Sequence, residues 1–403
     1  MEKEAKTFTR SGRFLPRTIA GLPPRQGAAF LSLFFFPSVA QAILLTVLPL
    51  GALRLLGTAQ AVTLLYAATG LAAVIGRFSI PYFVRLLGRR RVFALGALAL
   101  TASSLLFTID RLPAFAAALI LNTVAIACLD ITSQLYLLDN VPRQALRHFE
   151  PTRIFAAAAP WTFGPWLGVH LQENLAFAAP FVVVTGTAVA LLILFRALDL
   201  AESQAAALRD ATNPLRYLPR FFSQPRLVLA WTLTSARSSW WSLFFVYAPI
   251  LAVTSGLSPE TGGLVVSIGT AWTWFVPLWG WVGRRYGLRT LMRAGYLGAG
   301  IFSIAAALAA GVPWLGALFL VTAAFSAGAL DGAGNLLFLR AVHPYERAEM
   351  TTVFASFRDV TQVGPPAVCA LLLAYFALPA VFIASGVMML AATALASHIP
   401  RRL

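Results

Sequence analysis

Twelve long apolar runs, set apart by short stretches rich in Pro, Gly and Arg, dominate this 403-residue sequence. Cut at those breaks, they fall at about 28–50, 60–84, 92–109, 113–138, 154–172, 177–197, 227–251, 261–282, 291–311, 314–339, 350–376 and 378–397. A helix needs about 20 predominantly apolar residues to cross bilayer hydrocarbon, so twelve crossings need about 240. The chain is 59% hydrophobic, roughly 238 positions, and only 11% charged. Such a composition excludes a soluble enzyme, a secreted domain and a disordered chain. A transmembrane barrel would alternate in short strands, whereas these runs are continuous. The expected fold is all-α: a polytopic membrane protein of twelve transmembrane helices.

The basic residues set the orientation. The net charge is +16, yet no basic domain is left over that could fold separately and bind nucleic acid. The first 25 residues carry Lys3, Lys6, Arg10, Arg13, Arg17 and Arg25, with no apolar stretch and cleavage site of the kind a signal peptide has. With that tail placed inside, 25 Lys and Arg residues fall on the tail, the even-numbered connections and the C-terminus, against Arg54 and Arg111 outside. The positive-inside rule then places both termini in the cytoplasm of a multi-pass protein. Arg outnumbers Lys 29 to 2, a genomic hint of a bacterium and hence of an inner (cytoplasmic) membrane. The expected organisation is a cytoplasmic tail at 1–25, a six-helix bundle at 26–197 and a cytoplasmic linker at 198–225. A second six-helix bundle follows at 226–398, then a short tail at 399–403.

The two halves echo each other. Leu48-Pro49-Leu50 matches Ala248-Pro249-Ile250 at an offset of 200, and Gly88-Arg89 precedes Gly287-Leu288-Arg289 by 199. Leu129-Asp130 and Gln134-Leu135 match Leu330-Asp331 and Asn335-Leu336 at 201, and Gly164-Pro165 matches Gly364-Pro365 at 200. Four matches in chain order indicate duplication of a six-helix unit into two pseudo-symmetric bundles.

On these motifs the sequence resembles the major facilitator superfamily over roughly residues 26–398. The family signature after the second span, Gly-x-x-x-Asp-Arg-x-Gly-Arg-Arg/Lys, falls here on Pro81, Arg85, Leu86, Gly88, Arg89 and Arg90. Its second copy falls on Gly280, Arg284, Arg285, Gly287 and Arg289. Both copies put Arg where the family has Asp. Gly164-Pro165-x-x-Gly168 is similar to part of the family's antiporter motif. A Gly-Pro pair also kinks and packs a helix, and its recurrence in the eleventh span favours that structural reading. The resemblance implies a secondary transporter that alternates access by rocking two halves, with the first, fourth, seventh and tenth spans lining a central cavity. It also implies proton coupling.

Charges inside the spans supply the candidate site. A charged side chain at the centre of a membrane helix costs at least about 2.5–3.5 kcal/mol, so it is retained where it faces a bundle interior or a wet cavity. Arg237, Arg358, Asp331, Asp359 and Asp130 sit at such positions, with Arg77, Glu150 and Arg153 nearer the cytoplasmic face. Counting rise along each span, Arg237, Arg358, Asp359 and Asp331 are expected in one polar layer. Asp130/Gln134, Asp331/Asn335 and Arg358/Gln362 are i, i+4 pairs that share a helix face. Arg237 or Arg358 is expected to bind an anionic group, with Gln134, Asn335, Gln362 and Gln41 as polar neighbours and Trp240 and Trp241 as an aromatic wall. Asp359, Asp331 and Asp130 are the proton-coupling candidates. Arg85, Gly88, Arg89, Arg90, Arg284, Arg285, Gly287, Arg153 and Glu150 are assigned to a cytoplasmic gate. Trp279 and Trp281 are expected in a cytoplasmic interfacial belt.

No spacing in the sequence has the form of a metal site, phosphate loop or nucleophile constellation, so no cofactor, no metal and no enzymatic activity are expected. Cys128 and Cys369 lie inside apolar runs as small hydrophobes. The partners expected are a small-molecule substrate, protons and membrane lipids, without nucleic acid, for a monomeric carrier. The reading is a proton-coupled secondary transporter of a small organic solute, anionic or amphipathic, with export by antiport slightly favoured over import. Its alternatives are a lipid or lysolipid transporter of the same fold and a non-transporting membrane receptor or scaffold.

Overall fold

The computed structural model describes residues 24–141, 143–198, 217–343 and 346–400. Among them there are helices and connecting turns and no strand. The tail expected at 1–25 lies outside the described residues up to residue 23, as does most of the expected linker, residues 199–216.

Six helices form the first half: α1 (Pro24–Leu56), α2 (Ala59–Leu87), α3 (Arg89–Phe107), α4 (Leu112–Asn140), α5 (Arg143–Asn174) and α6 (Ala179–Leu198). A short helix, α7 (Leu218–Phe222), precedes the second half. There α8 (Pro225–Thr254), α11 (Leu288–Leu308) and α16 (Pro379–Ala396) cross without a break. The other three crossings are interrupted. The eighth is α9 (Pro259–Thr270), a 3-10 turn (Ala271–Phe275) and α10 (Val276–Tyr286). The tenth is α12 (Pro313–Ala333) and α13 (Leu336–Ala341), and the eleventh α14 (Arg347–Ala355) and α15 (Phe357–Tyr375). All twelve expected runs are therefore helical crossings. Residues 24, 88, 287 and 400 lie at one end of the bundle, here the terminal end; the turns near 57, 109, 176, 256, 310 and 377 mark the far end.

Nine of the described crossings are long and apolar enough to span a membrane on composition alone. The other three are α5, α8 and α14–α15. They carry Arg153, Arg237, and Arg358 with Asp359, charges that lower the mean hydropathy of their helices.

Packing repeats with the sequence. Gly88 (φ 81°) and Gly287 (φ 88°) each end one helix and begin the next in a backbone conformation that only glycine adopts at little cost. A side chain on Gly96 would strike the Ala125 carbonyl and Leu129, and one on Gly295 the Ser326 carbonyl and Leu330. The same close crossing thus recurs 199–201 residues later. Such small-residue contacts let membrane helices approach where lipid gives no hydrophobic drive to associate. Gly164 and Gly168 do the same for α5 against Ala42 and Ile43 of α1, whereas Gly364 faces open space. The first Gly-Pro motif packs helices and the second does not.

The halves meet through α2 with α15, α5 with α9, and α1 with α8. On the far side, Trp166 N–H donates to Ser267 Oγ at 2.9 Å, and Thr270 Oγ1 donates to the Trp161 carbonyl at 2.7 Å. That carbonyl lacks its helical partner because residue 165 is proline. His170 Nδ1 lies 3.0 Å from Glu260 Oε1, which also accepts from Asn174. Among the described residues, α10, α13 and α14 pack chiefly within their own half. The contacts between the halves, among the described residues, gather toward the far end and thin toward the terminal end.

Candidate functional site

Among the described residues, three cavities line the parting between the halves. The first, about 430 Å³, is walled by Ser38 and Gln41 of α1, Asp130 of α4, Arg153 and Trp161 of α5, Trp241 of α8, Trp272 and Asp331. The second, about 450 Å³, is bounded by Arg77, Asp130, Gln134, Arg358 and Asp359. Asp130 belongs to both walls. The third, about 270 Å³, lies one helical turn farther along α2, α4 and α15 and has no charged residue on its wall.

The charges expected in one polar layer fall into two groups. Arg237 Nε stands 3.4 Å from Asp331 Oδ1, and Arg237 Nη1 donates to the Leu330 carbonyl at 3.2 Å. Trp241 Nε1 donates to Asp331 Oδ2 at 2.6 Å. This group is held inside the second half, with Arg237 only 12% exposed and Asp331 reaching the first cavity. Arg358 and Asp359 face the second cavity. Asp359 Oδ1 lies 3.9 Å from Arg77 Nη1 of α2, an ion pair between the halves. Arg358 is exposed, with its guanidinium 5.7 Å from the Phe357 ring, and makes no ion pair among the described residues. Asp130 also has none, yet Arg77, Arg153 and Arg358 all lie within electrostatic reach of it.

The remaining expected residues spread across the fold. Gln41 and Trp241 line the first cavity, Gln134 the second and Gln362 the third. Trp240 is 1% exposed, donates to Ser303 Oγ at 2.9 Å and stacks on Phe244, so it faces α11 and not the cavity. The shared face of Asp331 and Asn335 is broken, because α12 ends at Ala333 and Gly334 takes φ 53°. Asn335 is exposed beyond that break. At the terminal end Arg85, Arg90, Arg284 and Arg285 are exposed, while Arg89 is 9% exposed. Arg153 reaches the first cavity wall. The Glu150 side chain lies outside the described residues. Trp279 packs on Phe325 and against Gly332 and is partly exposed, whereas Trp281 is exposed.

Sequence reasoning passed over Asn122, Tyr66 and Ser242, which line the third cavity. Each is a neutral polar residue inside an apolar run, and only the packing reveals which face it occupies. The sequence places Arg77 near the cytoplasmic face without pairing it to Asp359; the one available signal is its position in the second span.

The family model described as Major Facilitator Superfamily matches residues 30–360. A search of curated proteins finds no match. Among solved structures, the fold is similar to the nucleoside transporter NupG, with TM-score 0.73 at 15% identity over 92% of this chain and 99% of that one. It is similar also to a POT family transporter in complex with 5-aminolevulinic acid (0.75, 12%, 92% and 95%). A third likeness is to a D-xylose-proton symporter (0.69, 15%, 93% and 97%). At such identities the structural likenesses speak to the fold, and it is the family match over most of the chain that carries the assignment: this polytopic membrane protein belongs to the Major Facilitator Superfamily.

Proposed function

We propose that the chain is a proton-coupled secondary transporter of a small organic anion, amphipathic or not, working by alternating access between its two halves. The observation that carries this reading is Arg358, an exposed guanidinium on a mid-depth cavity wall with no carboxylate paired to it among the described residues. A guanidinium in that setting matches the fork of a carboxylate or phosphate. Arg237 is already engaged by Asp331, so it serves the anion less directly. Trp161, Trp241 and Trp272 on the neighbouring wall offer apolar surface for the rest of an amphipathic solute.

Proton coupling falls to Asp130, Asp359 and Asp331. Asp130 joins two cavities, and Asp359 ties the halves together through Arg77. A proton on either removes a negative charge from a cluster of guanidinium groups and so changes what the cluster attracts. Export is slightly favoured over import, and the distribution of Arg supports both termini in the cytoplasm of a bacterial inner membrane, with the tail at 1–25 and the linker at 198–225 on the cytoplasmic side.

Proteoliposomes with an imposed pH gradient test the reading. Uphill movement of an organic anion, opposite to protons, is the expected result. Arg358→Gln is expected to weaken anion affinity by about 10- to 100-fold, the loss of one charge-assisted hydrogen-bonding group. Anion flux indifferent to the gradient would remove proton coupling, and unchanged affinity in Arg358→Gln would remove the assigned anion site.

A further inference from the structure

The third cavity is lined by two carboxamides whose oxygens find no hydrogen-bond partner among the described residues. Asn122 of α4 and Gln362 of α15 come from opposite halves, and Asn122 Oδ1 and Gln362 Oε1 are both buried without a hydrogen-bond partner. Burying an amide unpaired is costly, so such groups are normally bonded to protein, water or ligand. The Tyr66 and Ser242 hydroxyls line the same space and likewise show no hydrogen bond to protein among the described residues. Every one of these four groups both donates and accepts. None of the residues on this wall is charged. A carboxylate or phosphate would find no cation there, and an ammonium no carboxylate. Hydroxyl groups, which also donate and accept, match the lining, and the rings of Tyr66, Phe245 and Tyr247 offer flat apolar surface beside it.

We infer that this cavity is a second subsite, built for an uncharged polyhydroxylated part of the solute, so that the cargo carries hydroxyls at one end and an anionic group at the other. The inference rests on the anion-transport reading above for its second half only. Position supports the pairing. Gln362 follows Arg358 by one turn of α15, about 6 Å along the axis. Ala73 and Gly70 line the third cavity one and two turns from Arg77, and Asn122 and Thr123 lie two turns from Asp130 on α4. The second and third cavities thus follow one another along the same three helices, with the guanidinium on one wall and the carboxamides on the next. The cavity, about 270 Å³, has room for roughly nine waters at about 30 Å³ each, or for a hydroxylated six-membered ring that displaces them.

Three probes separate the parts when bound to the purified full-length chain: myo-inositol (hydroxyls without charge), cyclohexanecarboxylate (charge without hydroxyls) and glucuronate (both). Glucuronate is expected to bind more tightly than either single-feature probe. Asn122→Leu and Gln362→Met, near-isosteres without the carboxamide, are each expected to weaken myo-inositol and glucuronate about tenfold. Their unchanged affinity for cyclohexanecarboxylate reports an intact fold. Arg358→Gln is expected to do the reverse, weakening the two anions and sparing myo-inositol. If the wild-type chain binds neither hydroxylated probe, or if both carboxamide variants bind them unchanged, the cavity is a water chamber and the subsite is overturned. If the carboxamide variants lose all three probes together, the role is structural and the subsite is equally overturned. Arg358→Gln with unaltered anion binding, beside carboxamide variants behaving as expected, would overturn the anion site and leave the hydroxyl subsite standing.

Discussion

Arg237 reaches Asp331 at 3.4 Å with both side chains mostly covered, while Arg77 stands 3.9 Å from Asp359 with 31% and 29% of the two side chains exposed. The two pairs use the same chemistry in different surroundings, and the difference sorts their roles. Removing one partner of a covered pair strands the other charge, a loss of about 3–5 kcal/mol. Asp331→Asn also weakens the acceptor that Trp241 uses, so it is expected to lower the thermal unfolding midpoint clearly. A longer, more open pair contributes less, closer to the ~0–1 kcal/mol of a solvent-exposed one. Asp359→Asn is therefore expected to leave that midpoint nearly unchanged while abolishing gradient-driven flux and sparing solute exchange. Thermal unfolding and counterflow, measured side by side on the two variants, check this. Equal loss of stability in both would mean that Asp359 is as structural as Asp331.

Pro165 shows how one residue in an element becomes a tie between halves. It has no N–H to give the Trp161 carbonyl, and Thr270 of α9 supplies the missing donor at 2.7 Å. Thr270→Val is expected to weaken far-end closure, read as a lower unfolding midpoint and faster labelling of a far-end cysteine. In Pro165→Ala the helix satisfies its own carbonyl, so Thr270→Val should then cost less; a double-mutant cycle is expected to show coupling of about 0.5–1 kcal/mol, and strict additivity would dissolve the tie. The existence of these elements was legible, since twelve apolar runs became twelve crossings. So was the duplication, down to the matched turns at Gly88 and Gly287. Helix interruptions were not. Extending an i, i+4 face through Gly332 and Gly334 joined Asp331 to Asn335 across a break that only tertiary packing decides. Trp240 and Trp241 read alike in sequence, because adjacent residues on a helix point about 100° apart and nothing local says which one meets the cavity.

At the scale of the whole molecule the two halves are alike in topology and unlike in build. α2, α4 and α5 run unbroken through the first half, whereas their counterparts in the second half break at 271–275, 334–335 and 356, beside the charged walls. Breaks of that kind are where helices bend at low cost, so the terminal-end pieces α10, α13 and α14 can swing while the rest of the second half keeps its packing. The far-end seam, held by Trp166–Ser267, Thr270–Trp161 and the His170–Glu260–Asn174 group, must open for access to alternate. In a chain with Cys128 and Cys369 replaced by Ala, a cysteine at Gln134, which is exposed on the second cavity wall, is expected to react with an impermeant thiol reagent added on the terminal side and to resist it from the far side. Joining cysteines at 170 and 260 with a short thiol cross-linker should arrest transport and leave that labelling intact, because the cross-link fixes the very seam that is closed here. Transport that continued through the cross-link would mean that solute does not pass between α5 and α9 at all, and the alternating movement of the two halves would have to be sought along α2 and α15 instead.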